Sequence, residues 1–198
     1  MPIDIQTEPI ALFEKWFAEA KVHPQIEDAT AMALATTDAV GQPNVRMVLL
    51  KDVIDGAFVF YTNVHSVKAL ELAANPRAAL CFYWTPLLKQ VRVQGAVATT
   101  TDAAADIYFA TRPRESQLGA WAADQSRPLE SREELIRRFD SAKAKYEGRD
   151  VPRPPYWSGY RLSPDSIEFW LGQPYRLHDR VRYTKASPTE WTAQRLYP

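Results

Sequence analysis

The fold is read from Asn44 to Val53, NVRMVLLKDV, where an apolar segment, Met47 to Leu50, stands between two cations, Arg46 and Lys51. Those four side chains are too bulky and apolar for a solvated loop, and turn residues lie on both sides, Gly41 to Pro43 and Asp55-Gly56. The stretch reads as one buried strand. Arginine and lysine are seldom buried without an anionic partner, so two readings follow. Either both cations reach solvent or pair with Asp52 and Asp55, or they meet a bound anion. On a regular strand Arg46 and Lys51 face opposite ways, unless the strand bulges or a ligand reaches round its end.

Working outward, Ala31 to Thr36 and Ala57 to Thr62 read as neighbouring strands in an antiparallel meander, the first joined through a turn at Asp38 to Pro43. Upstream, Thr7 caps a helix entered through Pro9, with Ile10, Phe13, Trp16, Phe17 and Ala20 at helical spacing. Downstream, a short helix from Ser66 to Ala74 closes at Asn75-Pro76, and strands follow at Ala78 to Tyr83 and Lys89 to Thr99. Asp102 to Thr111 is helical, and Arg112-Pro113 interrupts it. A further helix starts there, because proline suits the first helical position, and Ser131 with Glu134 boxes the start of a third. After the stiff connector VPRPP, Val151 to Pro155, four strands alternate: Trp157 to Leu162, Ser166 to Leu171, Tyr175 to Tyr183 and Glu190 to Leu196. The predicted class is α+β, an antiparallel barrel or strongly bent sheet with flanking helices, in a single domain over residues 1–198.

Lysine plus arginine balances aspartate plus glutamate at 24 each, so no net field draws the chain onto nucleic acid or an acidic membrane. Any anion must be met by local cations. The single cysteine, Cys81, excludes an internal disulfide framework and reads as a packing thiol. The opening MPIDIQTEPI has no leader pattern and no window reaches the roughly 18 apolar residues of a membrane span, so a soluble, cytoplasmic protein is expected. The 7 glycines form neither a GxGxxG nor a Walker loop, the 3 histidines lack metal-ligand spacing, and no GxSxG elbow is present. A phosphate would have to be held by side chains.

Polar residues gather in three places. The first is the opening stretch with Tyr61, Thr62 and Lys68; Lys68 falls in the first turn of a helix, where a cation opposes the dipole unless an anion is bound there. The second is Tyr108, Arg112 and Ser116, spaced by four, beside a helix start with free amides, which reads equally as a phosphate clamp or as a capped junction with surface arginines. The third is YRLHDRVRY, residues 175–183, where a strand would place Arg176, His178, Arg180 and Arg182 in one row. Such a row repels itself unless an anion sits among the charges. Gln125-Ser126 alone reads as a loop.

With these residues quoted, the chain closely resembles the pyridoxine (pyridoxamine) 5′-phosphate oxidase family, flavin enzymes of the FMN-binding split-barrel superfamily. The resemblance runs from about Leu12 to Pro198 through RMVLLK (46–51), FYTN (60–63), KQVRVQG (89–95), YFATRPRESQLGAW (108–121), QS (125–126), IEFW (167–170) and RLHDR (176–180). It implies an antiparallel split β-barrel with flanking helices. It further implies that FMN is bound by Arg46, Met47, Val48, Leu49, Leu50, Lys51, Tyr61, Thr62, Lys68, Gln90, Gln125, Ser126, Trp170 and Arg180. The substrate is implied to lie against Lys51, Tyr108, Arg112, Ser116, Arg176 and His178, with Arg176 and His178 at the reacting end and Asp28 a weaker candidate nearby.

The implied reaction oxidises pyridoxamine or pyridoxine 5′-phosphate to pyridoxal 5′-phosphate, with dioxygen reduced to hydrogen peroxide, in a homodimer with FMN at the interface. Two departures stand out. Family members usually carry Arg-Lys where this chain reads Val67-Lys68, and many have a basic N-terminal extension where this chain opens almost directly on its first helix. A lost charge-assisted hydrogen bond is worth about 1.5–3 kcal/mol, so weaker FMN binding is expected unless something replaces the arginine. Two other readings are a split-barrel flavin oxidase of a phenazine-type substrate and a non-catalytic carrier of FMN or pyridoxal phosphate.

Overall fold

The computed structural model describes residues 2–6 and 8–198. In it Asn44 to Val53 is two strands. β2 (Pro43–Leu49) pairs with β1 (Ala31–Thr37), Leu49 lying opposite Ala31, whereas β3 (Asp52–Ile54) pairs with β4 (Ala57–Asn63). With β5 (Arg77–Trp84), β6 (Lys89–Thr99) and β7 (Trp157–Leu171), the sheet runs β2-β1-β5-β6-β7-β4-β3, which places β2 and β3 at its two ends. Yet only Leu50 and Lys51 join them, and three peptide steps span at most about 10 Å. The sheet must therefore curl until its ends meet. The linker is bonded to both sides, Leu50 N–H to Thr30 O at 2.8 Å and Lys51 N–H to Val59 O at 2.9 Å. This curl is the expected antiparallel split barrel of an α+β fold.

Three local expectations change. Thr7 lies outside the described residues; α1 (Pro9–Val22) is capped by the Glu8 carboxylate, which accepts from the amides of Ile10 and Ala11. The strands expected at Trp157 to Leu162 and Ser166 to Leu171 are one 15-residue strand, β7. Pro164, which suggested a break, sits at the register shift opposite Gly95, where β7 changes partner from β4 to β8 (Asp179–Lys185). No ladder donor is required of it there. A Cβ on Gly95 would lie 2.0 Å from Ser163 O, so this crossing needs a glycine. Finally, Tyr175 to Tyr183 is not one strand. Pro174–Arg176 forms a single 3₁₀ turn in which Tyr175 (φ 59°) and Arg176 (φ 62°) are left-handed, and β8 starts only at Asp179. Arg176 and His178 thus leave the row expected with Arg180 and Arg182.

Aromatic packing holds the curl. Phe13 of α1 is fully buried against Phe58 and Phe82, ring centroids at 4.8 and 5.1 Å, and Trp16 meets Phe169 edge-on at 5.2 Å. Each such ring contributes roughly 1.5–3 kcal/mol by burial. A second, smaller core, with Phe109, Leu118, Ala142, Tyr146 and Trp157, lies under α3 (Asp102–Ala110), α4 (Arg114–Ala122) and α5 (Arg132–Lys145). The helices are thereby fastened to the start of β7. Strand β9 (Trp191–Leu196) completes the sheet beside β8.

Candidate active site

Between the two cores lies a cleft of about 910 Å³. Arg46, Met47, Val48 and Leu49 of β2 form one wall with Lys51 of the linker, and Tyr61 and Thr62 of β4 form its floor. Lys68, in the first turn of α2 (Val67–Ala74), lies beside Gln125 and Ser126 of the loop after α4. Tyr108, Arg112 and Ser116 close the other side from α3, the α3–α4 junction and α4. Two of the three sequence clusters therefore share one cavity, with Gln125-Ser126 added by tertiary structure.

The cations in this cleft differ in what neutralises them. Arg46 donates to the Glu71 carboxylate at 3.0 Å and contacts Thr36 Oγ1, so its counter-ion is Glu71 rather than Asp52 or Asp55. Burial alone would raise the Glu71 carboxyl, but hydrogen bonds from Thr36, Asn44 and Arg46 outweigh it and hold the group below the ordinary glutamate range. Lys68 is buried yet donates only to neutral oxygens: Thr62 Oγ1 at 3.1 Å, Gln125 Oε1 at 3.1 Å and Ser66 Oγ at 3.3 Å. Burial, aided by the Arg46 charge, pulls its ammonium below the usual lysine range. Arg112 has a buried Nη1 with no hydrogen-bond partner among the described residues, and burial lowers its pKa too. Its guanidinium lies 4.8 Å from the Trp157 ring and 5.3 Å from Phe109. A buried lysine and a half-buried arginine, neither paired with a carboxylate among the described residues, are an anion-binding arrangement.

The aromatic floor is a stack: Tyr61 lies 4.2 Å from Tyr108 and 5.1 Å from Trp157, the rings nearly parallel. Gly159 makes room for it, since a Cβ there would stand 2.6 Å from the Tyr61 ring. Burial raises the Tyr61 phenol, with Tyr108 adding to it.

The remaining predicted residues lie elsewhere. Gln90, Trp170 and Arg180 face one another across β6, β7 and β8, and the His178 ring is 4.5 Å from Trp170. His178 Nδ1 accepts from the Gln173 amide, which leaves the proton of the neutral ring on Nε2. Arg176 is exposed on the preceding turn. Arg180 donates to Glu168 at 2.8 Å, so a carboxylate of the same sheet answers the charge expected to need an anion. From Trp157, which lines the cleft, to Trp170 is thirteen residues of one strand, roughly 40 Å. These five residues form a second group outside the cleft. Leu50 buries its side chain in the barrel core, and Asp28 accepts from Thr30 outside the cleft lining.

Sequence reading missed Glu71, Trp157 and Gln117. Glu71 lies within the short helix expected from Ser66 to Ala74, and its partners Thr36, Asn44 and Arg46 come from other strands. Gln117 donates to the carbonyls of Phe109 and Ala110, fastening α4 to the end of α3. No local pattern marks either.

Comparison with known proteins turns this geometry into kinship. A family model described as pyridoxamine 5′-phosphate oxidase matches residues 18–146, and one described as the pyridoxine 5′-phosphate oxidase C-terminal dimerisation region matches residues 157–198. This chain belongs to the pyridoxamine 5′-phosphate oxidase family. Among curated family members, a pyridoxine/pyridoxamine 5′-phosphate oxidase of Rhodopseudomonas palustris (strain BisA53) is 55% identical over 96% of this chain and 90% of its own length. One of Brucella canis is 54% identical over 96% of this chain and 94% of its own. Among solved structures, PhzG from Burkholderia lata 383, in complex with tetrahydrophenazine-1-carboxylic acid, superposes with a TM-score of 0.91 at 31% identity, covering 98% of this chain and 95% of that one. A pyridoxamine 5′-phosphate oxidase-related, FMN-binding protein from Nostoc punctiforme shares the fold, with a TM-score of 0.77 at 16% identity over 97% of this chain and 99% of that one.

Proposed function

We propose that this chain oxidises pyridoxamine and pyridoxine 5′-phosphates to pyridoxal 5′-phosphate with FMN as cofactor and dioxygen as acceptor, working as a homodimer. The observation that carries the reading is the pair of cations without a carboxylate partner among the described residues, the buried Lys68 and the half-buried Arg112 with its buried, unpartnered Nη1, in one aromatic-floored cleft. Cofactor and substrate each bring a phosphate, and each cation answers one. The donor set fits FMN: Lys68, Thr62, Gln125 and Ser126 gather at the N-terminus of α2, where amides and dipole favour a phosphate. FMN, when bound, supplies the hydride acceptor for the substrate C4′ carbon and the route of electrons to dioxygen, with release of hydrogen peroxide.

The protein's share is binding and orientation. Lys51, Tyr108, Arg112 and Ser116 hold the substrate phosphate and so align the pyridine ring. Gln90, Trp170, Arg176, His178 and Arg180 join the site from a second protomer, because one β7 cannot bring both groups together and the C-terminal segment matches a dimerisation region. In this arrangement Arg176 aligns the reacting end, His178 orients it, and the other three contact the flavin. A second reading, oxidation of a phenazine-type substrate, draws on the likeness to PhzG. The unpartnered Nη1 of Arg112 suits an anionic group of either substrate, and the greater identity to pyridoxine/pyridoxamine 5′-phosphate oxidases, 55% against 31% to PhzG, favours the phosphate-bearing one.

Peroxide release from purified, FMN-loaded protein decides among these readings. Release on adding pyridoxamine 5′-phosphate, and none with unphosphorylated pyridoxamine at equal concentration, is expected. Bound FMN without peroxide would overturn this reading and leave the phenazine-type oxidase and the carrier standing.

A further inference from the structure

The half-buried Arg112 is held by rings rather than by a carboxylate among the described residues. Phe109 lies three residues before it, near the end of α3, whereas Trp157 comes from the start of β7 and is itself fixed from several sides. The Trp157 carbonyl accepts from Arg153 Nη1 at 2.7 Å, and the same guanidinium donates to Asp106 at 2.6 Å and Asp102 at 3.0 Å, both on α3. The indole also stacks on Tyr61 and meets Phe109 edge-on at 5.1 Å, and only 7% of Trp157 is exposed. The ring facing Arg112 is therefore rigid, and it is tied to the helix that leads into Arg112.

We infer that Trp157 is the positioning residue of the substrate-phosphate clamp, its indole holding the Arg112 guanidinium in place without cancelling its charge. This rests on the reading of Arg112 as the substrate-phosphate ligand. A carboxylate could hold the arginine equally well, but it would compete with the phosphate and would have to be displaced or left repelling it. A ring face attracts the cation by its quadrupole and carries no net charge. That attraction offsets the rotamer freedom a long arginine loses on being fixed. The entropy is thus lost during folding rather than during substrate binding, which is how preorganisation raises affinity.

The test is a double-mutant cycle on the FMN-loaded protein, read as the Kd for pyridoxal 5′-phosphate and the KM for pyridoxamine 5′-phosphate. Trp157→Leu is expected to weaken pyridoxal 5′-phosphate binding about tenfold and Trp157→Phe, which keeps a poorer face, about threefold. The rise in KM should exceed any fall in kcat. In an Arg112→Ala background the same tryptophan changes should cost less than about twofold, because the group they position is gone. A tenfold loss that persists without Arg112, or Kd values within about twofold of wild type in Trp157→Leu, would overturn the inference. Should Trp157→Leu fail to fold or lose its flavin, the Trp157→Phe cycle decides by the same criterion. If Arg112→Ala itself binds pyridoxal 5′-phosphate as wild type does, the assignment of Arg112 is at fault, and the inference falls with it.

Discussion

At Lys68 an ammonium is buried against three neutral oxygens, and its folded pKa lies below the ordinary lysine value of 10.5. Above that value the cost of burying the charge is absent; it grows as pH falls from there to the folded pKa and persists in full at neutrality. Function and stability therefore oppose each other at this residue. Lys68→Met is expected to raise the melting temperature of the flavin-free protein by a few degrees at pH 7 and to weaken FMN binding roughly ten- to a hundredfold. Calorimetry and flavin fluorescence titration check the two halves; an unchanged FMN affinity would remove Lys68 from the cofactor site. The neighbouring Val67 lines the cleft without charge, and Arg46 is paired with Glu71.

Among the elements, α2 is tied to the sheet by one buried carboxylate. Glu71 accepts from Thr36 on β1 and from Asn44 and Arg46 on β2, so it fixes both the helix and the cleft wall. With a folded pKa below the ordinary 4.5, it contributes stability that is present above that value and lost as pH falls through the folded pKa. Glu71→Gln should cost on the order of 3 kcal/mol at pH 7, with the gap to wild type closing below about pH 4.5. Denaturant unfolding across pH checks this; a pH-independent gap would count against the charge. The elements were largely legible because apolar alternation and turn residues mark them. The errors fell where the partner strand changes. Leu50-Lys51 looked like strand interior, since its break comes from the curl of the sheet, and Ser163 to Asp165 looked like a break, since Pro164 is permitted there by the bulge opposite it.

For the whole molecule, the two groups of site residues stand at opposite ends of β7, and the proposed site takes one group from each of two protomers. Arg112→Ala and Arg176→Ala proteins should each be nearly inactive. Refolded together, they should recover about a quarter of wild-type activity, because half the random dimers are mixed and each mixed dimer carries one intact site. Recovery near zero, with mixed dimers demonstrated by differently tagged protomers, would place both arginines in the same subunit's contribution. The outward side chains Val45, Met47 and Leu49 on β2, exposed by 70%, 63% and 39%, are apolar surface available to such pairing. No helix among the described residues is long and apolar enough to cross a membrane.

By itself the sequence determined the class of fold, the run of elements and the polar clusters, because periodicity, turn residues and the motifs of the opening stretch are local. Which cation lacks a counter-ion was decided only in three dimensions. Arg46 and Lys68 read alike in the chain, yet one meets Glu71 and the other does not, and Arg112 acquires its tryptophan from 45 residues away. The same holds for Asn44 to Val53. Its two cations share a cleft wall because the stretch is the seam where a curled sheet brings its ends together, and a seam is a property of long-range pairing that no local pattern records.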